Sequence, residues 1–125
     1  MTTCARQRCK TRTWNGYDLC RTHATRLADK NFAAHVRGRG PCVFRVDCSG
    51  AVQCAHVVSR RYRVTRWNPA NALPLCAGHH VYYTHHPLEW EAFIEHMHPG
   101  MLADLKKRAL TGTKAEAQAE MEVWL

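Results

Sequence analysis

The chain has 125 residues, with 18 Lys+Arg against 10 Asp+Glu, a formal net charge of +8 and a hydrophobic content of 46%. That length suits one domain able to bury roughly two-thirds of its unfolded surface, no apolar run approaches the roughly 20 residues of a membrane span, and extended disorder does not fit four Trp and this hydrophobic content. Seven Cys and nine His therefore point to chemistry: MTTCARQRCK is followed by no apolar stretch, so no secretory signal is expected, and in the expected cytoplasmic setting such chains more often bind metal than form disulfides.

Residues 1–23 carry the spacing C-x4-C-x10-C-x2-H, formed by Cys4, Cys9, Cys20 and His23. Zn²⁺ takes four soft or borderline ligands at tetrahedral corners, and two short-spaced pairs on either side of a loop supply them. The loop holds Trp14, the turn signal Asn15-Gly16 and Tyr17. Metal binding would make so short a segment foldable and would present Arg6, Arg8, Lys10, Arg12 and Arg21 to phosphates. Residues 24–37 place Leu27, Phe32 and Val36 along one helical face, with His23 on the first turn, and Gly38-Arg39-Gly40-Pro41 ends the helix. A knuckle and linking helix over 1–37 is the expected first unit.

The next segment, residues 42–86, contains four Cys and five His, with β-type runs at Val52–Val58 and Ala72–Leu75. Cys42, Cys48, Cys76 and His79 can form a second Cys3His zinc site joining the start of a hairpin to the start of a helix. Cys54 could replace Cys48. It lies in the alternating run Val52-Gln53-Cys54-Ala55-His56, however, and small hydrophobic packing suffices to explain it. From Pro87 the period is helical through Leu88, Trp90, Phe93, Ile94 and Met97, broken by His98-Pro99-Gly100, resumed over Met101–Leu110, and broken again at Thr111-Gly112-Thr113. The Ala/Glu-rich end, Lys114–Leu125, favours a helix that could pack as a tail or form a dimer. The divisions are thus 1–37, a core over 42–97, and a helical extension over 98–125.

Charge is split along the chain. Residues 1–66 hold twelve Arg and two Lys against three Asp, a net +11, whereas residues 67–125 are at −3. A polyanion against the first half is the expectation, and Arg predominance suits phosphate, which a planar guanidinium grips by two N–H groups.

The two zinc sets leave His56, Asn71, His80, His85 and His86 without a role. The segment CAHVVSRRYRVTRWNPANALPLCAGHHVYYTHHPLEW resembles the HNH endonuclease family, the ββα-metal nucleases, and most closely the small phage-encoded type. The likeness covers roughly Cys42 to Trp90. It rests on His56 ending a first strand, the basic Ser59-Arg60-Arg61-Tyr62, Asn71 in N-x3-L-C, and Cys76-x2-His79-His80 opening a helix. The N-terminal knuckle also resembles an accessory found beside phage nucleases of this kind.

The resemblance implies an α+β fold with a zinc-stabilised ββα core. It also implies hydrolysis of DNA phosphodiesters, by nicking or cutting with low sequence specificity, in a host cytoplasm. His56 can serve as general base near neutral pH. Asn71 suits an orienting role, its amide holding either the loop or the imidazole. His80, turned about 100° from His79 around the helix, can face a cleft and bind a catalytic Mg²⁺, Mn²⁺ or other divalent ion. Arg60, Arg61, Arg63 and Arg66 would hold the phosphate backbone. Many family members carry an Asp or His before the base as a second metal ligand, and here Ala55 stands there. His85, or less readily His86, could supply the missing ligand. The competing reading is a non-catalytic, zinc-containing DNA-binding or recombination accessory protein with a degenerate site. Oligomeric state is not legible, and no membrane partner is expected.

Overall fold

A computed structural model describes residues 2–7, 9–14 and 16–125; Arg8 and Asn15, both named above, lie outside the described residues. Among the described residues the protein is a small α+β structure with a two-stranded antiparallel sheet and six α-helices. In chain order these are α1 (Arg21–Arg37), β1 (Val52–His56), α2 (Arg63–Arg66), β2 (Ala72–Cys76), α3 (Ala77–His85), α4 (Pro87–Met97), α5 (Met101–Thr111) and α6 (Lys114–Glu122). None of the helices is long and apolar enough to cross a membrane.

Helix α1 begins at Arg21, with Cys20 as N-cap and His23 in its first turn, and Gly38 ends it. Its buried face is Ala24, Ala28, Phe32 and Val36, a row at four-residue spacing that brings the helix backbone close to the sheet. Leu27 is only half-buried, since the two alanines take the central places.

The hairpin separates two apolar cores. Strand alternation sends Cys54 and Ala72 toward α1, where they join Phe32, Val36, Trp67 and Met121. Ala55 and Leu75 point the other way, joining Cys42, Cys76, Trp90 and Ile94. The register pairs His56 with Ala72 and Val52 with Cys76. The first core also takes the end of the chain: Trp124 sets its ring edge-on to Phe32 at 5.2 Å, its indole N–H donates to the Trp67 carbonyl at 3.1 Å, and its own carbonyl accepts from Asn31. Lys114–Leu125 is therefore a packed tail. Trp67 is fully buried and belongs to the core rather than to a stacking surface.

The outer edge of β2 is covered by the segment before β1, where the Val43 N–H donates to the Pro74 carbonyl at 3.1 Å. The following turn caps α3, with Ala77 N–H donating to the Ala51 carbonyl and Gly78 N–H to that of Ser49, both at 2.9 Å. Gly50 is required in this turn, because its φ of +78° is left-handed and a methyl there would lie 2.7 Å from Ala77 Cβ. Among the described residues no strand lies beside the other edge of β1, which faces the gap between α1 and α3.

Phe32 is the pivot of the first core, in contact with both Trp124 and the His56 ring at 5.6 Å between centroids. Phe32→Ala should cost about 3–5 kcal/mol, read as a lowered denaturant midpoint with unchanged m-value.

Candidate functional site

The ligand-type side chains converge into two clusters. Cys4, Cys9, Cys20 and His23 form one, and Cys42, Cys48, Cys76 and His79 the other, each with its ligand atoms within 4.8 Å of one another. In the first, His23 Nδ1 lies 3.1 Å from Cys4 Sγ and 3.3 Å from Cys20 Sγ, and Cys9 and Cys20 sulfurs are 3.9 Å apart. In the second, His79 Nδ1 lies 3.3, 3.9 and 3.2 Å from the sulfurs of Cys42, Cys48 and Cys76. Zn–S bonds of about 2.3 Å and Zn–N bonds of about 2.0–2.1 Å give a tetrahedron with edges of about 3.5–3.8 Å. Both clusters match that size and could hold zinc ions.

Their construction is shared where the sequence spacing coincides. In Cys20-x2-His23 and Cys76-x2-His79 the Cys is the helix N-cap and the His lies in the first turn, of α1 and α3 respectively. The positive end of the helix dipole favours thiolate there; at Cys20 the His23 backbone N–H acts in that direction, but burial and the Cys4 and Cys9 sulfurs raise its pKa overall. Burial opposes ionisation of Cys4 and Cys76, but backbone N–H groups and neighbouring side chains bring both thiols down to about 6. Cys48 is pushed up to about 11 by desolvation and by the Cys42 and Cys76 sulfurs. Crowded sulfurs of this kind would release their remaining protons to a divalent cation, which neutralises the thiolates. Cys54 stands outside both clusters, packed against the α1 core and raised to about 11 by burial.

Between α1 and α3, along the open edge of β1, runs a cleft of about 760 Å³. Helix α1 contributes Asp29, Phe32, Ala33 and Arg37; β1 contributes Gln53, Cys54 and His56; the loop after β1 contributes Ser59 and Arg60; α3 contributes His80 and Thr84. His56 and His80 thus reach one space from a strand end and a helix start.

The two imidazoles are fixed through opposite nitrogens. His56 Nε2 donates to the Arg66 carbonyl at 2.9 Å, which leaves Nδ1 with the lone pair. His80 Nδ1 donates to Gln53 Oε1 at 2.7 Å, leaving Nε2 with its own. Burial lowers the pKa of His56; the Arg60 and Arg66 charges act in the same direction, against the Arg66 carbonyl and Asp29. Burial likewise lowers His80. Both rings are therefore neutral at pH 7.

Asn71 holds the loop and not the imidazole. Its amide accepts from Val58 N–H at 2.7 Å and donates to the Val58 and Thr65 carbonyls, both at 3.0 Å. It is fully buried, so each of these bonds replaces one that water cannot make. The His56 orientation comes instead from α1: Asp29 accepts from Arg66 Nε and from Trp67 Nε1, both at 3.0 Å, and from Arg66 Nη2.

The arginines divide accordingly. Arg66 is occupied by Asp29. Arg63 lies over the Trp67 ring at 4.8 Å and donates to Thr25. Arg60 lines the cleft, whereas Arg61, Arg6 and Arg12 are exposed. His85 is exposed at the end of α3, with Thr84 rather than His85 in the cleft wall. His86 stacks on Tyr82 at 4.0 Å and hydrogen-bonds its carbonyl. Ala55 is buried and offers no ligand atom. Among the described residues, no third His, Cys, Asp or Glu joins His56 and His80 in a closed ligand set. Asp29, Gln53 and Arg37 were not apparent from the sequence as cleft residues. Only the four-residue spacing of Asp29, Ala33 and Arg37 on α1 hints that they share a wall. No family model, curated protein or solved structure matches the chain significantly.

Two outcomes test this geometry. Purified protein should contain two zinc per chain by elemental analysis, and Cys20→Ser or Cys76→Ser one. Structural zinc contributes about 10–16 kcal/mol in finger peptides against a typical folding stability of about 5–15 kcal/mol, so a strong chelator should abolish the cooperative thermal transition. The second outcome concerns pH. His56 folds with a pKa below its unfolded value, so its contribution to stability is complete above about 6.5 and is lost as pH falls through the folded value. Between pH 7.5 and 5 the wild type should therefore lose stability more steeply than His56→Gln.

Proposed function

We propose that the protein is a metal-dependent endonuclease of HNH type that hydrolyses DNA phosphodiester bonds. The observation that supports this best is the convergence of His56 and His80 on one cleft, each with a ring nitrogen left free by a hydrogen bond at the other. The hairpin followed directly by α3 is the ββα arrangement that the resemblance leads one to expect. His56 Nδ1 takes a proton from water, and its neutrality at pH 7 keeps that nitrogen basic. The Arg66 carbonyl keeps the ring in one tautomer and would stabilise the imidazolium that forms. Arg60 and Arg37 at the cleft wall hold the phosphate by charge.

His80 Nε2 is the protein donor for a divalent cation, which would supply Lewis-acid assistance at the scissile phosphate. With Ala55 buried and His85 turned away, phosphate and water would fill the other positions. An imidazole donor suits Mn²⁺, Ni²⁺ or Zn²⁺ better than Mg²⁺. The DNA reading draws further support from the +11 half of the chain. Arg63 and Arg66 do not join the phosphate contacts in this proposal, because both are engaged within the protein.

Supercoiled plasmid incubated with Mn²⁺, Ni²⁺ or Mg²⁺ should be nicked by the wild type. His56→Ala should lower the rate by about 10²–10⁴-fold, the scale of general-base catalysis, at unchanged zinc content. Absence of nicking by the wild type with every metal would favour the non-catalytic DNA-binding reading, for which Ala55 is the supporting observation. Equal nicking by His56→Ala would place the base elsewhere.

A further inference from the structure

A second recess, of about 330 Å³, opens beside the first turn of α1. It is lined by Trp14 of the knuckle, Arg21 at the start of α1, Arg63 of α2, and Lys114, Ala117 and Gln118 of α6. Three cations from three separate elements converge there, and no carboxylate is among the lining residues. Among the described residues the ion pairs are Arg66–Asp29, Lys106–Glu91 and Arg108–Glu120, so none of the three cations is paired.

Arg63 is half-buried. Its guanidinium is placed by the Trp67 ring beneath it and by a hydrogen bond to Thr25 Oγ1 at 3.2 Å. Desolvation and the charges of Arg21 and Arg66 lower its pKa, with Asp29 opposing. A cation fixed in place, partly out of water and crowded by like charge, is stabilised by an incoming anion. Trp14 adds an aromatic wall, the surface on which nucleobases stack.

Helix α1 connects this recess to the cleft. Arg21, Thr25, Asp29, Ala33 and Arg37 follow one another at four-residue spacing and so form a single ridge. Its first residues meet the recess and its last three line the cleft. From Arg21 to Asp29 or Ala33 is about 12–18 Å along the helix at ~1.5 Å per residue, a distance that a strand crosses in a few nucleotides.

We propose that the recess formed by Trp14, Arg21, Arg63 and Lys114 is a phosphate-binding subsite for a nucleic-acid strand, several nucleotides from the point of cleavage. It takes one phosphate between the three cations, with the adjoining base against Trp14. The inference rests on the nucleic-acid reading above but not on hydrolysis.

The test is fluorescence anisotropy of a labelled single-stranded DNA oligonucleotide across a salt series, with the zinc-loaded protein. Arg21→Gln and Lys114→Gln are the informative variants, since Arg63 is packed into the structure. Each should weaken binding by about 3–10-fold and make the salt dependence shallower by about 0.7 of a log unit per log unit. Lys107→Gln, an exposed cation of α5 outside the recess lining, should match the wild type. Melting temperature and zinc content should be equal in the wild type and every variant. If Arg21→Gln and Lys114→Gln bind like wild type while Arg60→Gln is weakened, the subsite is overturned and the nuclease reading stands. Failure of the wild type to bind the oligonucleotide overturns both. Displacement of the oligonucleotide by thymidine monophosphate at equal phosphate concentration would overturn a strand as the occupant in favour of a free nucleotide.

Discussion

Four ligands, three of them anionic when bound, must be held together at the first turn of a helix, and this occurs twice. Thiolates repel one another, and a cation at the centre of each Cys3His cluster would offset that repulsion and fix the geometry. Helix α1 starts at one cluster and α3 at the other. These are the two helices that wall the histidine cleft. The hairpin between them has only two strands, and a hairpin alone is marginal in water. With metal bound, coordination would help the two cores set the separation of the cleft walls. Zinc at both Cys3His sites, about −1 each with three thiolates, would bring the formal +8 to roughly +6.

Within that frame the buried polar groups do the positioning. Asn71 satisfies three backbone groups around the turn after β1. Asp29 ties α1 to Arg66 and Trp67, and the Arg66 carbonyl orients His56. No buried side-chain nitrogen or oxygen among the described residues lacks a partner. A network satisfied to that degree holds one arrangement, because each alternative leaves a desolvated donor or acceptor without a bond. The imidazole is thus placed by a backbone carbonyl whose own position depends on a carboxylate from another helix.

Much of this was legible in the sequence, and the reason differs by residue. The eight clustered Cys and His were readable because short spacings restrict which side chains can meet. The helices from Pro87 onward were readable from apolar period and Gly/Pro breaks, and the strands from alternation. His56 and His80 could be paired in advance only through the resemblance, since nothing local joins a strand end to a helix start. The fate of Arg63 and Arg66 could not be read. Their partners, Thr25 and Asp29, lie 38 and 37 residues away, and a run of arginines looks the same whether it faces solvent or a buried carboxylate. Gln53 was hidden for a related reason: an exposed strand residue gains its role only when α3 packs beside it.

The sharing of the first core between α1 and α6 bears on how the protein comes into being on the ribosome. The core around Cys42, Leu75, Trp90 and Ile94 is complete once the chain has grown through Leu102. The core on Ala24, Ala28 and Phe32 has no lid until Met121 and Trp124 have been made. During synthesis the hairpin can settle on its α3–α4 side while its α1 side stays open to water. The first helix translated is thus among the last to be buried. Its two central residues are alanines, small enough to leave little apolar surface for a wrong partner during that interval.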